Sequence, residues 1–156
     1  MQSLKEVIQK TEFFQGLEDR HLDLIAGCAR LVVFQPGEYL FKEGREAQHF
    51  FLIRHGRVSI ELHIPPRGQV MIQTVGPGEI LGWSWLVPPH QWRFDAKALT
   101  VVRAIRFDGQ CIRTKCESDH TLGYELMKRF TAVMAERLQA TRIQLLDIYG
   151  TGSKTG

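Results

Sequence analysis

Apolar positions recur along the chain in two different periods, and the changes of period divide it into three parts. In residues 3–29 the spacing is helical. Leu22, Ile25, Ala26 and Ala29 fall at i, i+3, i+4 and i+7, behind an aromatic turn at Phe13-Phe14-Gln15-Gly16-Leu17. From 30 to 108 the period drops to two. Val58, Ile60 and Leu62 alternate with Ser59, Glu61 and His63, and Phe94, Ala96 and Ala98 alternate with Asp95, Lys97 and Leu99. Short apolar runs at 31–34, 39–41, 50–54, 70–75 and 101–107 stop at Pro36-Gly37, Gly44, Gly56 and Gly76-Pro77-Gly78. Strands this short, with turns this regular, predict an antiparallel sandwich or barrel. Over 118–149 the helical period returns. Ser118 or Asp119 can cap its start, and Met127, Phe130, Met134, Leu138, Thr141, Leu145 and Ile148 form one stripe. Such a helix reaches roughly 40 Å or more, longer than a small barrel can cover, so part of the stripe needs another partner. Met127, Met134, Thr141 and Ile148 recur every seven residues. That predicts a homodimer through Met127–Ile148, with Arg137 and Gln144 interrupting the second seam. Gly150-Thr-Gly-Ser-Lys-Thr-Gly156 predicts a flexible tail over 150–156. The expected organisation is one mainly β domain over 1–149: N-terminal helices to 29, a β roll over 30–108 and a long helix over 118–149.

Composition narrows the function classes. With 44% hydrophobic and 24% charged residues in 156, the chain is globular rather than disordered. No run approaches the roughly 18 apolar residues of a membrane span. The net charge of +3 is spread along the chain, which gives no basis for a nucleic-acid patch. Three cysteines, an odd number, argue against a disulfide framework, and with the polar start Met1-Gln2-Ser3 they predict a reducing, cytoplasmic location. Cys111, Cys116 and His120 fall short of a closed zinc set, so small buried hydrophobes are the expected role of the thiols and no metal is expected. His49, His55, His63 and His90 are scattered without an H-x-H pair, no catalytic triad order is present, and Gly152-Ser153-Lys154-Thr155 lacks the phosphate-loop spacing. The chain is therefore expected not to be an enzyme.

Several local motifs then point one way. Phe14-Gln-Gly-Leu17, the hairpin Phe34-Gln-Pro-Gly-Glu-Tyr-Leu-Phe-Lys-Glu-Gly44, the strand pair Phe51-Leu-Ile-Arg-His-Gly-Arg-Val-Ser-Ile60, the entry Val75-Gly-Pro-Gly-Glu79 and the helix segment Met134-Ala-Glu-Arg-Leu-Gln-Ala-Thr141 together resemble the cyclic nucleotide-binding domain of the Crp/Fnr regulator family. The resemblance implies an antiparallel β jelly roll with N-terminal helices and a long C-terminal helix. It also implies non-catalytic sensing of a cyclic nucleotide or other small effector, read by an unidentified partner protein. In the family's transcription factors a helix-turn-helix domain follows the long helix. Here only 150–156 follow Tyr149, so specific DNA binding is not expected of this chain alone.

The ligand cassette departs from the family. Aligned from Gly76-Pro77-Gly78, the family's Phe-Gly-Glu falls on Leu81-Gly82-Trp83, placing an indole at the ribose-binding glutamate. Aligned back from Ala98-Leu99-Thr100, the phosphate-binding arginine falls on Trp92, with Arg93 one place later and on the opposite face of a strand. Thr141 lies where the long helix meets the purine, and Ser84 can offer a hydroxyl to a ligand or cap a short helix. The ligand-binding candidates are Leu81, Gly82, Trp83, Ser84, Trp92, Arg93 and Thr141. Trp83, Trp85 and Trp92 leave three readings open: fillers of a degenerate pocket, an aromatic wall for an apolar effector, or a surface patch for a protein. A ligand-free interaction module that keeps the fold is the alternative function.

Overall fold

The computed structural model describes residues 3–154, and their side chains as far as residue 147. Helix α1 (Leu4–Lys10), a 3-10 turn (Glu12–Phe14) and α2 (Asp19–Ala26) lead into eight strands: β1 (Ala29–Phe34), β2 (Tyr39–Phe41), β3 (His49–His55), β4 (Val58–Ile64), β5 (Gly68–Val75), β6 (Ile80–Leu81), β7 (Asp95–Ala98) and β8 (Val102–Asp108). Helices α3 (Gly109–Ser118) and α4 (His120–Lys154) follow. The strands form two four-stranded antiparallel sheets, ordered β1-β8-β3-β6 and β2-β7-β4-β5. This is the jelly roll that the alternation and turn spacing predict.

The alternation works because one face of each strand meets a shared core. Val58 and Ile60 of β4 and Ala96 and Ala98 of β7 are buried, and so are Phe50 to Ile53 of β3, which is covered on both faces. Gly56 turns β3 into β4 at φ +90°, and a Cβ there would sit 2.2 Å from the Val101 carbonyl oxygen, so no other residue fits. Asp95, expected on the solvent face of its strand, is buried. Its Oδ1 accepts from the Glu43 amide at 2.7 Å and its Oδ2 from Gln69 Nε2 at 2.7 Å, which meets the cost of burying a carboxylate.

The structure departs from the sequence expectations at four places. Helix α2 stops at Ala26, and Ala29 opens β1 instead of closing the helical face. Helix α3, unassigned in the sequence, covers Gly109–Ser118. Only Ile112 among its larger side chains is fully buried, so it carries little periodic signal, yet its cap is a standard one: Asp108 Oδ1 accepts from the Cys111 amide at 3.0 Å. Helix α4 continues to Lys154 and takes in most of the expected tail, since extending a formed helix adds one hydrogen bond per residue without a new nucleus. Residues 155–156 of that tail lie outside the described residues. Asp119 caps α4 by accepting from the Leu122 amide at 3.3 Å.

The fourth departure is covalent. Cys28 and Cys111, 83 residues apart, form a disulfide with Cα atoms 5.8 Å apart. The expectation of three unpaired thiols fails because the Asp108 amide donates to the Cys28 carbonyl at 2.9 Å, which brings the end of α2 beside the start of α3. Cys116 remains a thiol, and burial pushes its pKa up, away from the reactive thiolate. Closing so long a loop restricts the unfolded chain, a gain of about 2–4 kcal/mol. Reduction, or a Cys28→Ala, Cys111→Ala double variant, is expected to lower Tm by about 4–16 °C in differential scanning calorimetry. An unchanged Tm would show the bond to be absent or thermodynamically idle.

Candidate functional site

The residues expected to bind a ligand do not converge on one open cavity. Leu81, in β6, is fully buried and sits opposite Phe51 of β3. Gly82 follows at φ +97°, and a Cβ built there would lie 2.9 Å from the six-membered ring of Trp92. Trp92 is 4% exposed and stacks on Phe41, ring centroids 3.6 Å apart and planes 9° from parallel. The indole thus occupies the space beside Gly82. Arg93 is exposed, in the bend before β7 rather than in a strand. Thr141, on α4, donates to the Arg137 carbonyl at 2.9 Å and accepts from Gln73 Nε2 at 3.3 Å.

The three tryptophans form no common wall. Trp92 belongs to a column with Phe41, which itself stacks on Phe51 at 6.4 Å. Trp85 is fully buried in a second cluster, stacked on Phe50 at 4.9 Å and edge-on to Phe130 at 5.4 Å. Trp83 is half-buried at the margin of the core. The segment after Gly82 is a turn rather than a helix, with the Leu86 amide donating to the Trp83 carbonyl at 3.0 Å, so Ser84 caps nothing. Its buried hydroxyl and the Trp85 indole N–H are both without a hydrogen-bond partner, a cost borne within the cassette.

A sizeable cavity lies elsewhere. An open groove of about 790 Å³ runs between α4, β5, the Gly78–Ile80 turn and the N-terminal 3-10 turn. None of the seven sequence candidates lines it. Its lining mixes the apolar side chains of Phe13, Val75, Ile80, Val133 and Ala140 with the polar ones of Gln73, Gln144, Arg129 and Arg137 and the carboxylates of Glu12, Glu79 and Glu136. Arg137 and Gln144, expected to interrupt a dimer seam, instead face the roll. The Arg137 guanidinium donates to the Ile80 carbonyl, and Gln144 Nε2 donates to the Ile72 carbonyl at 3.1 Å. Burial pulls the Arg137 pKa below the ordinary guanidinium value, a pull that Glu79 and Glu136 partly offset. The sequence signal was available: Arg137 and Gln144 are seven apart, the spacing of one helical face. Only the fold shows which face meets the roll. Among the described residues, no group of three His, Cys, Asp or Glu side chains is arranged to hold a metal ion, and no helix is long and apolar enough to cross a membrane.

Two short-stranded sheets closed into a roll, helices before it and one long helix after it define a β-roll domain braced by a single helix. A cyclic nucleotide-binding domain model matches residues 31–119, and the chain belongs to that family, in its Crp/Fnr form. It is 24% identical over 148 residues to a CRP-like cAMP-activated global transcriptional regulator of Mycobacterium tuberculosis. That match takes in 95% of this chain but only 64% of the regulator's length. A solved structure of the cyclic nucleotide-binding type from Geobacter metallireducens GS-15 is similar at 30% identity and TM-score 0.79, covering 88% of this chain and 99% of that one. The N-terminal domain of a transcriptional regulator from Streptomyces coelicolor A3(2) shares the fold at 23% identity and TM-score 0.66, covering 90% of this chain and 95% of that one.

The contact between Gly82 and Trp92 can be measured. Gly82→Ala forces a side chain into positive φ and against the indole, and is expected to cost about 1–3 kcal/mol. Trp92→Ala is expected to cost about 3–5 kcal/mol. In urea unfolding the double variant should lose at least ~0.5 kcal/mol less than the sum of the singles, because the ring that the alanine strikes is gone. Strict additivity would contradict the packing described.

Proposed function

We propose that the chain is a non-catalytic regulatory domain that senses a small effector in the groove beside α4, with a cassette unsuited to cyclic AMP and cyclic GMP. The observation that carries this reading is the groove itself. At about 790 Å³ it has the size of a small-molecule site, and α4 forms one wall, so an occupant bears directly on the long helix. A ligand that fits one helix position better than another shifts the helix toward it. The cassette supports the second half of the proposal. The indole of Trp92 stands beside Gly82, Trp83 supplies no carboxylate, and Arg93 is turned to solvent. A charge-assisted hydrogen bond contributes about 1.5–3 kcal/mol, so lacking two weakens binding by roughly two to four powers of ten. In calorimetric titration both nucleotides are expected to bind no tighter than about millimolar. Low-micromolar binding of either would overturn this reading of the cassette. Filling of the cassette by Trp92 also favours a second reading, a ligand-free interaction module. Thermal shift against a metabolite panel separates the two: a specific rise supports the sensor, and silence across the panel supports the module.

The domain also works as a homodimer on this proposal. With Arg137, Thr141 and Gln144 engaged by the roll and Met134 packed against the core, the outward side of α4 carries Tyr124, Thr131, Leu138 and Leu145 at seven-residue intervals, with Met127 beside them. Tyr124, Met127, Leu138 and Leu145 are each about half exposed or more, at 65%, 49%, 53% and 50%. Ile148, the last residue of the expected interface, lies beyond the described side chains. Sedimentation equilibrium at tens of micromolar is expected to give a dimer, and Leu138→Lys, which buries a charge in the seam, a monomer. A monomeric wild type would sink the proposal.

A further inference from the structure

Resting on the proposed sensing role of the groove, we infer that its ligand is a small monoanion with an apolar body, its acidic group held by Arg137 of α4. The cassette has no cation of its own turned inward: Trp92 stands where an arginine was expected, and Arg93 faces solvent. The groove does have one. The Arg137 guanidinium is half-buried and lines the cavity. It donates to the Ile80 carbonyl, two residues before Gly82, and no carboxylate lies within ion-pair distance among the described residues. A guanidinium has five N–H donors in a planar fork, so one bond to a carbonyl leaves an edge for a carboxylate or similar oxyanion. Burial already works against its charge, and an anion in the groove would relieve that cost.

Single charge follows from the surroundings. Arg129, the other cation of the groove, is already bound to Glu125 and to the Gln15 carbonyl. Glu79 and Glu136 lie close enough to Arg137 to raise its pKa. A second negative charge on the ligand would therefore meet carboxylates without a free cation to answer them. The apolar body follows from the lining around Arg137, where the half-buried Phe13 and Val133 offer surface that water covers poorly. Glu79 is itself held, its carboxylate accepting from the Gly76 amide at 2.6 Å, so the turn that carries Ile80 is braced independently of the ligand.

The experiment is calorimetric titration of the whole chain with four apolar monocarboxylates: hexanoate, octanoate, phenylacetate and indole-3-acetate. Phenylethylammonium and sulfate serve as cation and bare-anion controls. At least one carboxylate is expected to bind saturably while both controls stay silent. Arg137→Met should weaken that binding roughly ten- to a hundredfold, and Arg137→Lys, which keeps the charge, less. Val133→Trp, which fills the groove but leaves Arg137 in place, should abolish it. Circular dichroism melts establish that each variant is folded. Should Arg137→Met fail to fold, chemical-shift changes at Arg137 and Ile80 on titrating the wild type give the same decision. Silence of all four carboxylates, or equal binding by Arg137→Met, overturns the inference. If the carboxylates are silent while a neutral or cationic metabolite raises Tm and Val133→Trp blocks it, the anion class falls and the sensing role stands. Silence to every compound removes both.

Discussion

Phe130 is the side chain on which the arrangement of the domain turns. It is 1% exposed, and its ring stands edge-on to Phe13 of the N-terminal 3-10 turn at 5.0 Å, Phe50 of β3 at 5.1 Å and Trp85 of the cassette at 5.4 Å. Each such pair adds about 0.5–1.5 kcal/mol to simple burial. Four separate elements meet at this ring, so the first half of α4 cannot shift without repacking the N-terminus, the roll and the cassette together. Leu126 and Leu122, one and two turns earlier, extend the same buried face. The start of the helix is therefore fixed by close packing, which tolerates little displacement.

The second half of α4 is held differently. Past Met134 the residues turned to the roll are Arg137, Thr141 and Gln144, and they are tied by side-chain hydrogen bonds to Ile80, Gln73 and Ile72. Bonds of this kind exchange with water and contribute about 1 kcal/mol each. The helix thus has an apolar root fixed by aromatic packing and an upper part held to the roll by polar contacts. The groove lies along that upper part and reaches down to Phe13 and Arg129. A regulatory domain needs this division, because a helix packed by aromatics along its whole length would transmit nothing.

The sequence made the roll legible because alternation and glycine turns are local. The strands at 39–41 and 58–62, and the turn at Gly56, follow from neighbours a few residues apart. What it left unread depends on distant contacts. Asp95 reads as a solvent-facing residue until Gln69 and the Glu43 amide meet it inside the roll. Cys28 and Cys111 have no local relation at all. Phe130 and Leu138 read as one stripe, yet eight residues of helix rotate them by roughly 80°, and that angle separates the face on the roll from the exposed face of the proposed dimer seam. The same rotation assigned Arg137 to the wrong side. Trp85 and Trp92 are close in sequence but enter different aromatic clusters, since the chain between them runs through an irregular loop rather than a strand.

The cassette and the groove then become two parts of one change. An arginine in the cassette would hold an anion against the rigid roll, and the ligand would reach the helix only with its far end. Here the indole of Trp92 closes that seat, and the inward guanidinium stands on the helix instead. On the proposed reading, a ligand held through Arg137 bonds to the helix and makes its apolar contacts to the roll and the N-terminal turn. The coupling free energy is the difference between the ligand's affinities for the two helix positions. A bond made wholly to the helix travels with it and one made wholly to the roll stays in place, so only a ligand that bridges the two feels a change in their relative position. On that reading, Arg137 and the roll grip one ligand from two sides, and the coupling is set by how well that grip fits each relative position of helix and roll.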